Sequence, residues 1–151
     1  MPGAKVKVLS MLFAAAVAGA WAYWTWGRSD GGIDPSDPAQ VALGRALYDA
    51  HCASCHGADL KGEPDWQSRR PGGELPAPPH DESGHTWHHP DAQLFAIVKH
   101  GIARFAPPGY KTNMNGFGAT LRDDEIRAVL AYIKSTWPAD IRGRQEALNR
   151  R

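Results

Sequence analysis

The chain has 151 residues, a formal net charge of +1 and a mean hydropathy of −0.45. This length accommodates one compact domain with extensions, and the near-zero charge argues against nucleic acid as a partner, because nucleic acid selects a strongly basic face. The 16 glycines and 12 prolines indicate a loop-rich fold with a small core, which a buried cofactor would complete.

The N-terminal segment has the pattern of an export signal. Two lysines precede an uncharged apolar run, residues 8–26, which is long enough to cross a bilayer and ends in aromatic side chains that prefer the headgroup region. We expect residues 1–26 to remain as a membrane anchor; the alternative is cleavage, which would leave a soluble periplasmic protein. A polar tether, residues 27–36, would then hold the rest of the chain on the periplasmic face of the inner membrane.

The first helix of the soluble part is predicted to begin at Asp37. Pro38 suits the first helical position, and Gln40 stands where a capping box would place its second member. The helix is expected to continue as far as Cys52, because residues spaced by three or four share one face up to that point.

Two further helices are predicted, over residues 90–100 and 123–136, where apolar side chains recur at helical spacing. The segment between the first and second helices is rich in proline, glycine and histidine and is predicted to be loop, including the long stretch 63–89. No alternating strand pattern is present in the sequence. The polar tail, residues 139–151, is assigned no role.

The segment Cys52-Ala53-Ser54-Cys55-His56 is C-x-x-C-H, the attachment pattern of a c-type haem. On one helical turn, Cys52 and Cys55 lie on the same side, so that each sulfur can join one vinyl group of the porphyrin. The next residue, His56, would then provide the proximal ligand to the iron.

Other uses of this cysteine pair are a disulfide, a thioredoxin-like redox pair and a zinc site. A thioredoxin-like motif belongs beside a βαβ pattern, which is missing, and none of the three explains why His56 follows Cys55 directly. A zinc site would need two more ligands from the downstream histidines. These candidates are His80, His85, His88 and His89.

Met114 is the predicted second axial ligand. The other two methionines precede or lie within the apolar N-terminal run, and Met114 sits in an irregular stretch where helical periodicity requires no core residue. A thioether donor favours ferrous iron and raises the reduction potential. The alternative is a second histidine ligand, which would lower the potential. The candidates are His80, His85, His88, His89 and His100.

With this motif, Met114 and the last helix, the chain resembles the monohaem class I cytochromes c of bacteria over about residues 37–138. The matching downstream stretches are residues 114–118, 121–126 and 130–133. Two positions depart from the family pattern. Asn115 stands where proline usually follows the ligand methionine, and Arg122 stands where serine often precedes the last helix.

The resemblance implies an all-α fold of three main helices and long loops around one covalent haem c, held by Cys52, Cys55, His56 and Met114. It also implies that the first and last helices cross. In that crossing, Gly44 and Tyr48 would face Val129 and Tyr132.

The predicted function is electron transfer outside the cytoplasmic membrane, with residues 37–138 as the cytochrome c domain. Partners of the expected kind are a quinol-cytochrome c reductase, a terminal oxidase or a periplasmic dehydrogenase. Two alternatives remain open. One is a haem enzyme or sensor whose sixth ligand can be displaced, and the other is a haem subunit of a larger dehydrogenase or oxidase complex.

Overall fold

A computed structural model describes residues 31–150 of the chain. The predicted membrane segment, residues 1–26, and the first part of the predicted tether, residues 27–30, lie outside the described residues. Within the described range, no helix has both the length and the apolar character needed to cross a membrane. This range is helical and contains no strand, apart from an isolated backbone bridge between Gly101 and Asn115.

The described range contains five α-helices and two short 3₁₀ turns. The α-helices are α1 (Pro38–His51), α2 (Ala53–His56), α3 (Asp91–His100), α4 (Asp123–Ser135) and α5 (Ala139–Asn149). The 3₁₀ turns are Thr86–His88 and Ile102–Arg104. The three helices predicted from the sequence are therefore confirmed as α1, α3 and α4, and long loops join them.

The start of α1 differs in detail from the prediction. The Asp37 side chain caps the helix by accepting a hydrogen bond from the backbone N–H of Ala39, at 2.9 Å. The predicted capping box is wrong, because the Gln40 side chain accepts from the N–H of Asp34, at 2.7 Å. The N–H of Asp37 is directed instead to the carbonyl oxygen of Asp34 in the preceding turn, at 3.3 Å.

The crossing of α1 and α4 forms the centre of the fold. A Cβ atom added to Gly44 would lie 1.9 Å from the carbonyl oxygen of Ala128, so only glycine permits this approach. One helical turn further along, Tyr48 is fully buried, and its ring centroid lies 5.4 Å from that of Tyr132. Tyr48 also belongs to the same buried cluster as Val129. The predicted contact between the two helices is confirmed.

The segment 139–149 is an integral part of the domain, although its polar sequence gave no reason to place it there. It forms α5, and its Gln145 side chain is fully buried, donating hydrogen bonds to the carbonyl oxygen of His89 and to the Asp91 carboxylate. Asn149 accepts a hydrogen bond from the N–H of Asp91, at 2.7 Å. Helix α5 therefore caps the start of α3.

Candidate haem-binding site

The two cysteines lie on one helical turn at the end of α1. The N–H of Cys55 donates to the carbonyl oxygen of Cys52 at 3.1 Å, and the N–H of His56 donates to the same oxygen at 2.9 Å. Both thiols are free; Cys52 is partly buried and Cys55 is exposed. The turn thus presents two sulfurs and an imidazole from five consecutive residues, as the motif predicts.

The environment of Cys52 makes it a poor redox thiol. Burial, together with the nearby Cys55, raises the pKa of the Cys52 thiol to about 11. Disulfide exchange proceeds through the thiolate, and a reactive cysteine therefore has a lowered pKa. Cys52 is therefore poorly suited to be the attacking thiol of a thioredoxin-like pair.

The His56 ring is buried, with 7% of the residue exposed, and one of its two nitrogens is already engaged. Its Nδ1 atom lies 2.9 Å from the carbonyl oxygen of Pro78, which requires a proton on Nδ1. Within the part of the chain that the structure describes, Nε2 has no hydrogen-bond partner. Burial lowers the pKa of His56, which favours the neutral imidazole that binds metals.

The loop after the motif folds back to place Pro78. Glu63 makes two hydrogen bonds to the backbone of Ala77. Its N–H donates to the Ala77 carbonyl oxygen at 2.9 Å, and its carboxylate accepts from the Ala77 N–H at 2.7 Å. Gly62 has a φ of +67°, and a Cβ there would lie 2.6 Å from the carbonyl carbon of Pro78. The backbone at Gly62 is therefore in close contact with the backbone of residues 77–78. This contact holds in place the Pro78 carbonyl oxygen, which accepts from His56.

The loop that carries Met114 is attached to the end of α3. The N–H groups of Phe117 and Gly118 donate to the carbonyl oxygens of Val98 and Lys99, at 2.9 and 3.0 Å. These oxygens belong to the last turn of the helix, where carbonyls lack an intrahelical partner. The segment following Met114 thus serves as a C-terminal cap of α3, which fixes where the loop returns to the domain.

A cavity of about 490 Å³ lies beside Met114. Its lining residues are Glu74, His100, Gly101, Ala103, Tyr110, Lys111, Thr112, Asn113, Met114, Asn115 and Gly116. Neither the cysteines nor His56 are among them, so the structure does not bring the two predicted ligands into one cavity. Met114 is partly buried at the edge of this space.

The histidines considered as alternative ligands fall into different places. The ring of His80 is stacked on that of His56, with 4.0 Å between centroids, so it lies on the side of the first ligand and cannot face it from across a haem. His85 is stacked on Trp66 and His88 on Trp87. Among these histidines, only His100 lines the cavity beside Met114.

The histidine-rich loop does not form a metal site of its own in the described structure. Across residues 31–150, no three His, Cys, Asp or Glu side chains are arranged to hold a metal ion. The zinc alternative considered for the cysteine pair therefore gains no support.

Sequence reasoning missed the two groups that surround His56, which are the carbonyl of Pro78 and the ring of His80. A backbone carbonyl leaves no mark in a sequence pattern. The general need of a metal-bound histidine for a partner at its second nitrogen indicates that such a group must exist, but it does not say which residue provides it.

The residues present fit a covalently attached haem. Two free sulfurs stand one turn apart, and the adjacent imidazole has Nδ1 occupied and Nε2 without a partner. This donor set, on an all-helical domain closed by the α1–α4 crossing, defines a c-type haem protein. The cytochrome c family model matches residues 41–137. The chain belongs to the cytochrome c family, which carries covalent haem c and transfers electrons.

Comparison with solved structures supports the fold. The chain is similar to cytochrome CL from the marine methylotrophic bacterium Methylophaga aminisulfidivorans, with a TM-score of 0.51 and 21% sequence identity. The match covers 73% of this chain and 63% of the cytochrome CL chain, so this chain spans less than two thirds of that protein. No curated protein matches the chain by sequence.

Proposed function

We propose that the protein is a monohaem electron carrier in which His56 and Met114 are the axial ligands. The observation that carries this proposal is the state of His56, whose ring is buried, with Nδ1 held by Pro78 and Nε2 free. The bound haem supplies one-electron exchange between ferric and ferrous iron. The chain's own contribution is to hold the ligand in one tautomer and to exclude water from its buried face.

Met114 is the proposed sixth ligand because of its chemistry and its loop. A thioether is a soft, uncharged donor suited to iron. Thr112 accepts a hydrogen bond from the N–H of Met114 at 2.9 Å, and the residues that follow are bonded to α3. The loop is therefore bonded locally at Met114 and anchored to α3 just after it, which restricts the position of the proposed ligand.

The proposed setting is the periplasmic face of the inner membrane, with residues 1–26 as anchor or as a cleaved signal. The uncharged run with lysines on its leading side supports this. We propose a quinol-cytochrome c reductase, a terminal oxidase or a periplasmic dehydrogenase as the redox partner. A tether would raise the local concentration of the domain beside such membrane partners.

The ligation is tested by spectroscopy on the full chain made in a host that attaches haem c. The ferric protein should show the weak long-wavelength charge-transfer band of a thioether ligand, and Met114→Ala should abolish it and yield a high-spin spectrum. His100→Ala is the matched control, because His100 lines the same cavity, and it should keep the band. A wild-type ferric protein without the band, or a band that persists in Met114→Ala, would contradict the proposal.

The cavity beside Met114 supports a second candidate, a haem enzyme or sensor with a displaceable sixth ligand. Space next to a ligand is what an incoming small molecule would need. Carbon monoxide and peroxide distinguish the two functions. An electron carrier should bind neither within the time of a redox titration, whereas rapid binding by the wild-type protein would favour the enzyme or sensor.

A further inference from the structure

Two imidazole rings lie face to face at the candidate haem site. The ring of His80 is stacked on that of His56, with 4.0 Å between centroids and 23° between ring planes. A flat group against one face of a ligand ring restricts its rotation, because turning the ring would drive its edge into the neighbour. The stack thus adds a contact on the face of His56 to the hydrogen bond that Pro78 makes at its edge.

His80 is itself held by three hydrogen bonds from different parts of the fold. Its N–H donates to the carbonyl oxygen of Leu60 at 2.7 Å, and its own carbonyl accepts from Nε1 of Trp137 at 2.7 Å. Its Nδ1 atom lies 2.8 Å from the hydroxyl oxygen of Thr86, a buried residue. A ring fixed at its backbone and at its edge has little freedom to follow a neighbour that turns.

We propose that His80 is a positioning residue for the proximal ligand, which sets the plane of the His56 ring and lowers the reduction potential of the haem. This inference rests on the proposed function. The first effect comes from the flat face of the ring. The second comes from its polarity, because a polar group beside the ligand stabilises ferric iron better than an aliphatic one does.

Two substitutions separate these effects. His80→Leu removes both the flat face and the polarity, whereas His80→Phe keeps a flat face without the polar nitrogens. The plane of the ligand ring is measured from the proton NMR shifts of the haem methyl groups in the ferric protein. The potential is measured by redox titration of the same samples.

We expect His80→Leu to change the methyl-shift pattern and to raise the potential, by up to a tenfold change in the redox equilibrium, about 59 mV for one electron. His80→Phe should restore the wild-type shift pattern but keep the raised potential. His88→Leu is the matched control, because His88 is exposed and stacked on Trp87, away from His56. It should change neither readout.

Unchanged shifts and an unchanged potential in His80→Leu would overturn the inference. If the variants fail to fold, the stack is tested in the wild-type ferrous protein by nuclear Overhauser effects, which stacked rings must show between the protons of His80 and His56. A lack of these effects would also overturn the inference. Failure of the proposed function is recognised separately, since the wild-type protein would then lack the thioether charge-transfer band or bind carbon monoxide rapidly.

Discussion

The Nδ1 atom of His56 lies 2.9 Å from the carbonyl oxygen of Pro78, a residue 22 positions further along the chain. A carbonyl oxygen only accepts, so this contact fixes the proton on Nδ1 and leaves the Nε2 lone pair for iron. The ligand's orientation therefore depends on the path of the loop between these two residues. Substitutions that displace this loop should therefore change the reduction potential of the haem.

Gly62 offers the sharpest test of this dependence. A Cβ at Gly62 would lie 2.5 Å from the Ala77 carbonyl oxygen and 2.6 Å from the Pro78 carbonyl carbon, and its φ is +67°. Gly62→Ala should therefore displace Pro78, lower the free energy of unfolding and shift the reduction potential. Gly109→Ala is the control, since Gly109 has a φ of +82° but no neighbour within 4 Å.

Gly109→Ala carries backbone strain alone, on the order of 1–2 kcal/mol, and should leave the potential unchanged. Urea unfolding followed by the haem absorption band and a redox titration measure both quantities. Equal effects of the two substitutions on the reduction potential would show that the Pro78 contact has no influence on the haem iron.

Gly44 tests the crossing of α1 and α4. A Cβ at this position meets the Ala128 carbonyl oxygen at 1.9 Å, so Gly44→Ala must push the two helices apart. We expect a loss of about 1–3 kcal/mol in the free energy of unfolding. Gly143→Ala in α5 is the matched control, because it meets nothing within 4 Å and should stabilise the helix by up to about 1 kcal/mol. Equal unfolding midpoints would contradict the crossing.

The buried ion pair between Lys134 and Asp91 predicts a larger electrostatic effect than surface pairs show. The Lys134 side chain is 3% exposed, and its Nζ lies 2.8 Å from the Asp91 carboxylate, which also accepts from Gln145. Lys134→Met leaves that carboxylate without its cation and should cost up to about 3 kcal/mol of stability. Chemical denaturation of the haem-loaded wild type and variant measures this difference in the free energy of unfolding.

Arg144→Met provides the comparison for this pair. Arg144 and Asp140 are 3.8 Å apart and about two thirds exposed, so the change should cost less than about 1 kcal/mol. A similar small effect of Lys134→Met would mean that α5 does not bury this network in solution.

The acid side of the stability profile should depend on Glu63. Hydrogen bonds from the Ala77 N–H and from Arg70 lower the pKa of Glu63 below its ordinary value of 4.5. The charged form is thus favoured by folding, and its contribution is complete above pH 4.5 and lost as the pH falls through the lower folded pKa.

Glu63→Gln should therefore be less stable than the wild type at pH 7, by under about 1 kcal/mol for this partly exposed pair, and the difference should shrink in acid. Unfolding curves at pH 7 and below pH 4.5 provide the comparison. A difference that grows in acid would reverse the assigned sign.

Local patterns in the sequence were sufficient to predict the three main helices and the cysteine turn. The α1–α4 contact through Gly44 and Tyr48 came from the family resemblance, and the structure confirms it. The capping box at Asp37 failed because a neighbouring N–H, that of Asp34, competes for the Gln40 side chain. Such competition depends on how the preceding turn folds, which composition does not reveal.

No local pattern in the sequence indicates the role of α5. Its buried groups are polar, and Gln145 is buried because Asp91 and the His89 carbonyl satisfy its side chain. Hydrophobic periodicity detects apolar faces and misses contacts of this kind. The stack of His80 on His56 could not be predicted from the sequence either, because His80 lies in a loop without periodicity.

The most direct test of the account is the intact mass of the full chain made in a haem-maturing host, recorded after denaturation and acid extraction. Two thioether bonds, from Cys52 and Cys55, predict that each chain retains the mass of one haem under these conditions. Double substitution to serine should abolish this retention. A wild-type chain that carries no haem, with its thiols free or joined to each other, would contradict the central claim.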